Sequence, residues 1–176
     1  MAPPPLPATV GVGGKIRASW AAVVRTALSW AMKDAPIAHL RSSATQNVPD
    51  AAWTALSLAD IVVDNASIVS AASSTINIGA HLGWWWVEGA TCWGNSNAGT
   101  TRQASVFLDG VAIPGSIGKA DPVNLALAVT PGVLVPAVDP GNTIFLAGLQ
   151  DTGGTLATSA STTARSLLTA VYLRTL

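Results

Sequence analysis

Residues 83–93, "GWWWVEGATCW", constrain the fold more than any other stretch, because they place four of the seven tryptophans within eleven positions. If the stretch is a β-strand, successive side chains point to opposite faces. One face then carries Trp84, Trp86, Glu88, Ala90 and Cys92, and the other carries Trp85, Val87, Gly89, Thr91 and Trp93. Both faces begin apolar, which predicts a strand between two packed layers. The second layer is either a helix of the same chain or a neighbouring subunit.

The remainder of the chain after Pro36 reads as short β-rich runs separated by turn residues. Turns are predicted at "NSNAG" (95–99), "DG" (109–110), "PG" (131–132) and "DPGN" (139–142). Strands are predicted at 37–42, 53–58, 67–70, 75–79, 83–93, 102–108, 111–113, 124–129, 143–150 and 167–175. Many short strands without intervening helices predict a mostly β fold, an antiparallel jelly-roll sandwich.

The first 36 residues have a different composition and are predicted to form an anchor, followed by a head domain over 37–176. Residues 1–14 are rich in Pro and then Gly, which is typical of an extended arm. Apolar residues, among them Trp20, Val24 and Trp30, recur at helical spacing over 15–33 and predict one amphipathic helix. This helix either docks on its own sandwich or anchors the chain in a larger assembly.

Charge and composition exclude several classes of partner. Nine Lys/Arg balance nine Asp/Glu, so the basic footprint of a nucleic-acid-binding protein is missing and no nucleic-acid partner is expected. No apolar run is long enough to span a bilayer, and the start of the chain does not have the pattern of a secretory signal. With 49% hydrophobic and only 10% charged residues, the chain is expected to share surface with copies of itself or with another protein.

No catalytic, cofactor or metal site is predicted. His39 and His81 lack the spacing of a zinc site, and no Gly-x-Ser-x-Gly motif occurs. Asp60, Asp64 and Asn65 offer oxygen atoms but not the spacing of a calcium loop. The single cysteine, Cys92, is interpreted as a small buried apolar residue. The chain is therefore expected not to be an enzyme.

Four segments carry a resemblance to a known family: "WTALSLAD" (53–60), "STINIGAHLGWWWVEGATCWGNSNAGTTRQASVFLDG" (74–110), "VDPGNTIFLAGLQDTGG" (138–154) and "LLTAVYLR" (167–174). Their order resembles the tumour-necrosis-factor-like jelly roll, which is shared with the complement globular head. The version in bacteriophage virion proteins is the most similar, and the leading arm resembles proteins of phages that infect actinobacteria. The resemblance rests on Gly83-Trp84, the Gly99 turn leading to Arg102, Asp109-Gly110, Gln150-x-x-Gly153 and Tyr172.

This resemblance implies a compact homotrimer packed around a threefold axis through aromatic residues. Trp84, Trp86, Tyr172 and Phe145 are the predicted interface residues, and the alternative is that they fill the core of their own sandwich. Glu88 and Arg102 are predicted to form a structural salt bridge across neighbouring strands.

The function expected from this resemblance is structural. The chain would be made in the host cytoplasm and would lie on the virion surface, as a capsid decoration protein, a head fibre or a minor tail protein. Its arm would bind the major capsid or tail protein. The alternative is an adhesive module for a host-surface glycan or another receptor.

Overall fold

The computed structural model describes residues 34–70, 72, 74–123 and 125–175, and these are almost entirely strands, turns and connecting loops. The strands are β1 (Ile37–Arg41), β2 (Asn47–Val48), β3 (Thr54–Ala55), β4 (Asp60–Asp64), β5 (Val69–Ser70), β6 (Thr75–Asn77), β7 (Gly83–Cys92), β8 (Arg102–Leu108), β9 (Val111–Ala112), β10 (Gly118–Ala120), β11 (Leu127–Val129), β12 (Val133–Ala137), β13 (Thr143–Gln150), β14 (Leu156–Ala157) and β15 (Leu167–Arg174).

Two antiparallel sheets form a sandwich. Sheet I has six strands in the order β11-β7-β15-β1-β4, and β12 also pairs with β7. Sheet II has seven strands in the order β10-β8-β13-β6-β5, with β3 added to β13 and β9 added to β8. β14 and β2 form a separate small ribbon. The predicted antiparallel jelly-roll sandwich is confirmed.

The core lies between the two sheets and takes every second side chain along much of the long strands. From sheet I it takes Trp85, Val87, Leu168 and Ala170, and from sheet II it takes Val106, Ile144 and Leu146, all essentially inaccessible to solvent. Because successive residues of a strand point to opposite faces, the intervening side chains form the outer faces of the sandwich.

Sequence patterns missed two strands of sheet I. β4, "DIVVD", is a short apolar run without alternation, and its pairing with β1 is interrupted by a register shift at His39/Leu40. β12 contains Pro136, which argues against a central strand. β12 pairs only with β7, and an edge strand tolerates proline because one side needs no backbone donor.

The predicted arm and helix lie outside the described residues, together with Trp20, Val24 and Trp30. Their predicted anchoring role and the domain boundary at residue 36 stay predictions.

Candidate assembly surface and structural relatives

The tryptophan-rich strand β7 has one face in the core and one face half open. Trp85 and Trp93 point into the sandwich and are fully buried. On the other face, Trp84 is half-buried, Trp86 is 39% exposed and Glu88 is exposed. The two predicted faces of the strand are therefore present, and the outer one stays partly exposed in the protomer.

The outer face of sheet I is apolar around Trp86, whereas the exposed Arg174 of β15 is the cross-strand partner of Trp84. Trp86 lies between Leu134 of β12 and Val171 of β15 in the strand register, and Val171 is followed by Ile37 of β1. Leu134 is 52% exposed. Apolar side chains therefore cross four neighbouring strands on this face, which makes it a candidate interaction surface.

Trp86 is held in place by a glycine. Gly132, between β11 and β12, lies against the indole ring so closely that a Cβ at this position would overlap the six-membered ring. The absence of a side chain at Gly132 therefore lets the ring pack directly against the backbone. A fixed ring loses little conformational entropy on association, which suits it to an interface.

Charged side chains lie at the β1–β4 edge of the same sheet. Arg41 Nη2 and Nε donate to Asp60 Oδ2 at 2.7 and 3.0 Å, and Arg165 Nη1 donates to the same oxygen at 3.2 Å. His39 contacts Thr169 through Nδ1 and Oγ1 at 2.8 Å. Burial, and then the charge of Arg41, lower the pKa of His39, so this imidazole is neutral at neutral pH.

Glu88 is exposed on this outer face. In the strand register it lies opposite Thr169, whose other neighbour is His39. Among the described residues, no hydrogen bond or ion pair reaches the Glu88 carboxylate.

Tyr172 and Phe145 do not lie with Trp84 and Trp86, which corrects the predicted set of four. Tyr172 is 3% exposed and points into the core, where its ring meets Trp85 edge-on at 5.2 Å and its hydroxyl donates to Leu82 O at 3.0 Å. The reason is strand parity, since Tyr172 pairs with Trp85 and not with Trp84. Phe145 belongs to β13 of sheet II, on the far side of the sandwich.

The predicted Glu88–Arg102 salt bridge is wrong, because the two residues lie in different sheets. Arg102, at the start of β8, is completely buried and donates to Thr101 O at 2.8 Å and Ala98 O at 2.7 Å. Its nearest carboxylate is Asp151, at 3.7 Å. Gly99, in the preceding turn, has φ +80°, and a Cβ there would collide with the Asp151 backbone. Arg102 and Gly99 therefore both stabilise the conformation of the loop over residues 95–101.

A second aromatic cluster, which sequence reasoning missed, lies on the outer face of sheet II. Phe107 and Phe145 are direct cross-strand partners with stacked rings 5.3 Å apart, and Trp53 meets Phe107 edge-on at 5.6 Å. Trp53 and Phe145 are half-buried. The alternation of β8 and β13 contained the signal for the two phenylalanines, but the contribution of Trp53 comes from a loop and depends on the tertiary structure.

The candidate chemical groups are occupied by structural contacts. Asp64 accepts from the backbone of Ile68 and Val69 at 2.9 and 3.0 Å, and Asn65 donates to Ala35 O at 2.8 Å. Burial raises the pKa of the Cys92 thiol, which keeps it protonated. Within the described ranges, no three His, Cys, Asp or Glu residues are grouped so that they could hold a metal ion.

None of the helical segments in the described part of the chain has the length and apolar character needed to cross a bilayer.

Comparison with solved structures places this sandwich among known folds. The Eiger TNF of S. frugiperda aligns with a TM-score of 0.55 at 12% identity, over 81% of this chain and 94% of that one. The globular domain of zebrafish complement 1qA protein aligns with a TM-score of 0.54 at 8% identity, over 81% and 99%. The chain has the tumour-necrosis-factor-like jelly-roll fold.

The PRD1 vertex protein P5 shares this jelly roll, with a TM-score of 0.56 at 12% identity over 79% of this chain and 97% of that one. No family model and no curated protein matches the sequence. At these identities the likeness shows the tumour-necrosis-factor-like fold alone.

Proposed function

We propose that this chain is a non-enzymatic structural subunit of a phage virion, displayed on the particle surface as a homotrimer. The single observation that carries the proposal is the partly exposed apolar outer face of sheet I around Trp86, with Trp84 beside it. Trp84 is half-buried and Trp86 is 39% exposed in the protomer, so association covers only the remaining part of each ring; at about 25 cal/mol per Å² of apolar area this contributes a few kcal/mol per subunit, together with neighbours such as Leu134.

Two likenesses to the same jelly roll support the virion role. The sequence resembles jelly rolls of phage virion proteins, and the sandwich superposes on the PRD1 vertex protein P5. A closed trimer presents three identical N-terminal arms, which suits attachment at a threefold position of a particle. We assign residues 1–36 as the anchor to the capsid or tail protein.

Deletion of residues 1–14 in the phage that encodes this chain tests the anchor. The truncated protein should purify as a folded trimer and should be missing from purified particles analysed by mass spectrometry. Normal incorporation of the truncated chain would overturn the anchoring role of the arm.

The aromatic cluster of sheet II favours a second candidate, an adhesive module for a host-surface glycan. Trp53 and Phe145 lie on the face opposite to Trp86, so they stay accessible when sheet I is covered. Sugars stack on aromatic rings, and glycan-array binding that is lost in Trp53→Ala would support this role. If the wild type binds no glycan but is incorporated normally into particles, the adhesive role is excluded and only the structural role remains.

A further inference from the structure

The outer face of sheet I carries two different patches at its two edges. The tryptophan patch, on β7, β11 and β12, consists of Trp86, Glu88, Val129 and Leu134. The arginine patch, on β1, β4 and the residues before β15, consists of His39, Arg41, Asp60, Val63 and Arg165. β15 runs between them and pairs with β7 on one side and β1 on the other.

Both patches expose apolar side chains beside charged ones. Leu134 and Val129 are 52% and 55% exposed in the tryptophan patch, and Val63 is 40% exposed in the arginine patch. Each patch therefore offers apolar area to a partner, while its charged groups decide which surface it accepts.

The charges of the two patches are complementary. In the arginine patch, two guanidinium groups share one carboxylate oxygen of Asp60, which leaves one positive charge unbalanced. Asp64, the other carboxylate of β4, does not balance it, since it is turned to the backbone amides of Ile68 and Val69. In the tryptophan patch, Glu88 is an exposed carboxylate without a partner among the described residues.

This arrangement discriminates between two ways of pairing copies. If each patch met its own copy across a twofold axis, Glu88 would face Glu88, or the arginine pair would face another arginine pair. Like charges in a contact cost free energy, so contacts between unlike patches are favoured; among these, a head-to-tail contact closes into the proposed trimer, whereas a twofold contact ends at a dimer.

We infer that copies associate head to tail, with Glu88 of one copy against the Arg41–Asp60–Arg165 cluster of the next. This inference rests on the proposed self-assembly, and it adds which patch meets which and the charged residues that pair across the contact. Glu88 would complete a network of two carboxylates and two guanidinium groups. The exposed apolar side chains of the two patches would exclude water around that network.

A double-mutant cycle tests the pair in the full-length chain. Glu88→Gln, Arg41→Gln and the double variant are compared with wild type by sedimentation over a range of concentrations. Asp121→Asn, which removes an exposed carboxylate at the end of β10, is the control for loss of charge elsewhere. Circular dichroism verifies that each variant is folded.

Each single substitution should weaken association at least about tenfold, and the double variant should be no weaker than either single one, because the same contact is lost. Asp121→Asn should associate like wild type. Added salt should weaken wild-type association more than that of Glu88→Gln.

Two other outcomes overturn the inference in distinguishable ways. If wild type associates and Glu88→Gln associates equally well, or if the two single effects add in the double variant, the charged pair is excluded while self-assembly is retained. If wild type stays monomeric at every concentration, both the charged pair and the proposed self-assembly are excluded.

Discussion

The indole ring of Trp86 rests on the backbone of Gly132, where a Cβ would overlap it. This contact fixes the most exposed tryptophan of the described residues on the outer face of sheet I. The position of the Trp86 ring on the outer face of sheet I thus depends on Gly132, which lies between β11 and β12.

Gly132→Ala should therefore displace Trp86 and weaken association while the sandwich still folds. Gly154→Ala is the matched control, because a Cβ at position 154 meets open space. Light scattering on serially diluted samples measures association, and thermal unfolding measures the fold. Equal association of the two variants would show that the ring position does not matter for assembly.

Trp85 and Trp86 are neighbours with opposite roles. Trp85→Ala removes a fully buried side chain and should lower the free energy of unfolding by about 3–5 kcal/mol. Trp86→Ala should reduce association, with a much smaller effect on the folded protomer. Urea unfolding at a concentration where both variants are monomeric checks the contrast. A larger loss for Trp86→Ala would mean that the two faces are assigned the wrong way round.

The alternation of "GWWWVEGATCW" was sufficient to divide the tryptophans between two faces, because the period of a strand is fixed by covalent geometry, but it left open which face enters the core. It could not predict the side of Tyr172, since that depends on the register of β15 against β7, which only the folded chain sets. Arg102 was paired with the wrong carboxylate for the same reason. Which strands share a sheet is a tertiary property.

Asp151 should make stability fall in strong acid. Hydrogen bonds from Thr100 and Thr101 hold the pKa of its carboxyl below the ordinary 3.8. The folded state thus binds this proton less readily than the unfolded state, so its contribution is present above pH 3.8 and is lost as pH falls through the lower folded pKa. Urea midpoints of wild type should drop in this window more steeply than those of Asp151→Asn. Parallel curves would exclude the contribution of Asp151.

The two histidines should make the stability depend on pH in a milder range than Asp151 does. Burial lowers the pKa of both His39 and His81 below 6.5, so the unfolded state takes up protons first as pH falls. Stability should therefore decrease as pH falls below about 6.5 toward the lower folded pKa values, and His39→Gln with His81→Gln should flatten this dependence. The midpoint of thermal unfolding against pH gives the comparison. An unchanged slope in the double variant would assign the dependence to other groups.

The measurement that tests the central claim most directly is the molar mass of the full-length chain by light scattering coupled to size exclusion, alongside Trp86→Ala. Assembly through the outer face of sheet I predicts three times the 17.8 kDa of one chain for wild type and a shift toward 17.8 kDa for the variant. A wild type of 17.8 kDa at all concentrations, or a variant with undiminished trimer, would contradict it.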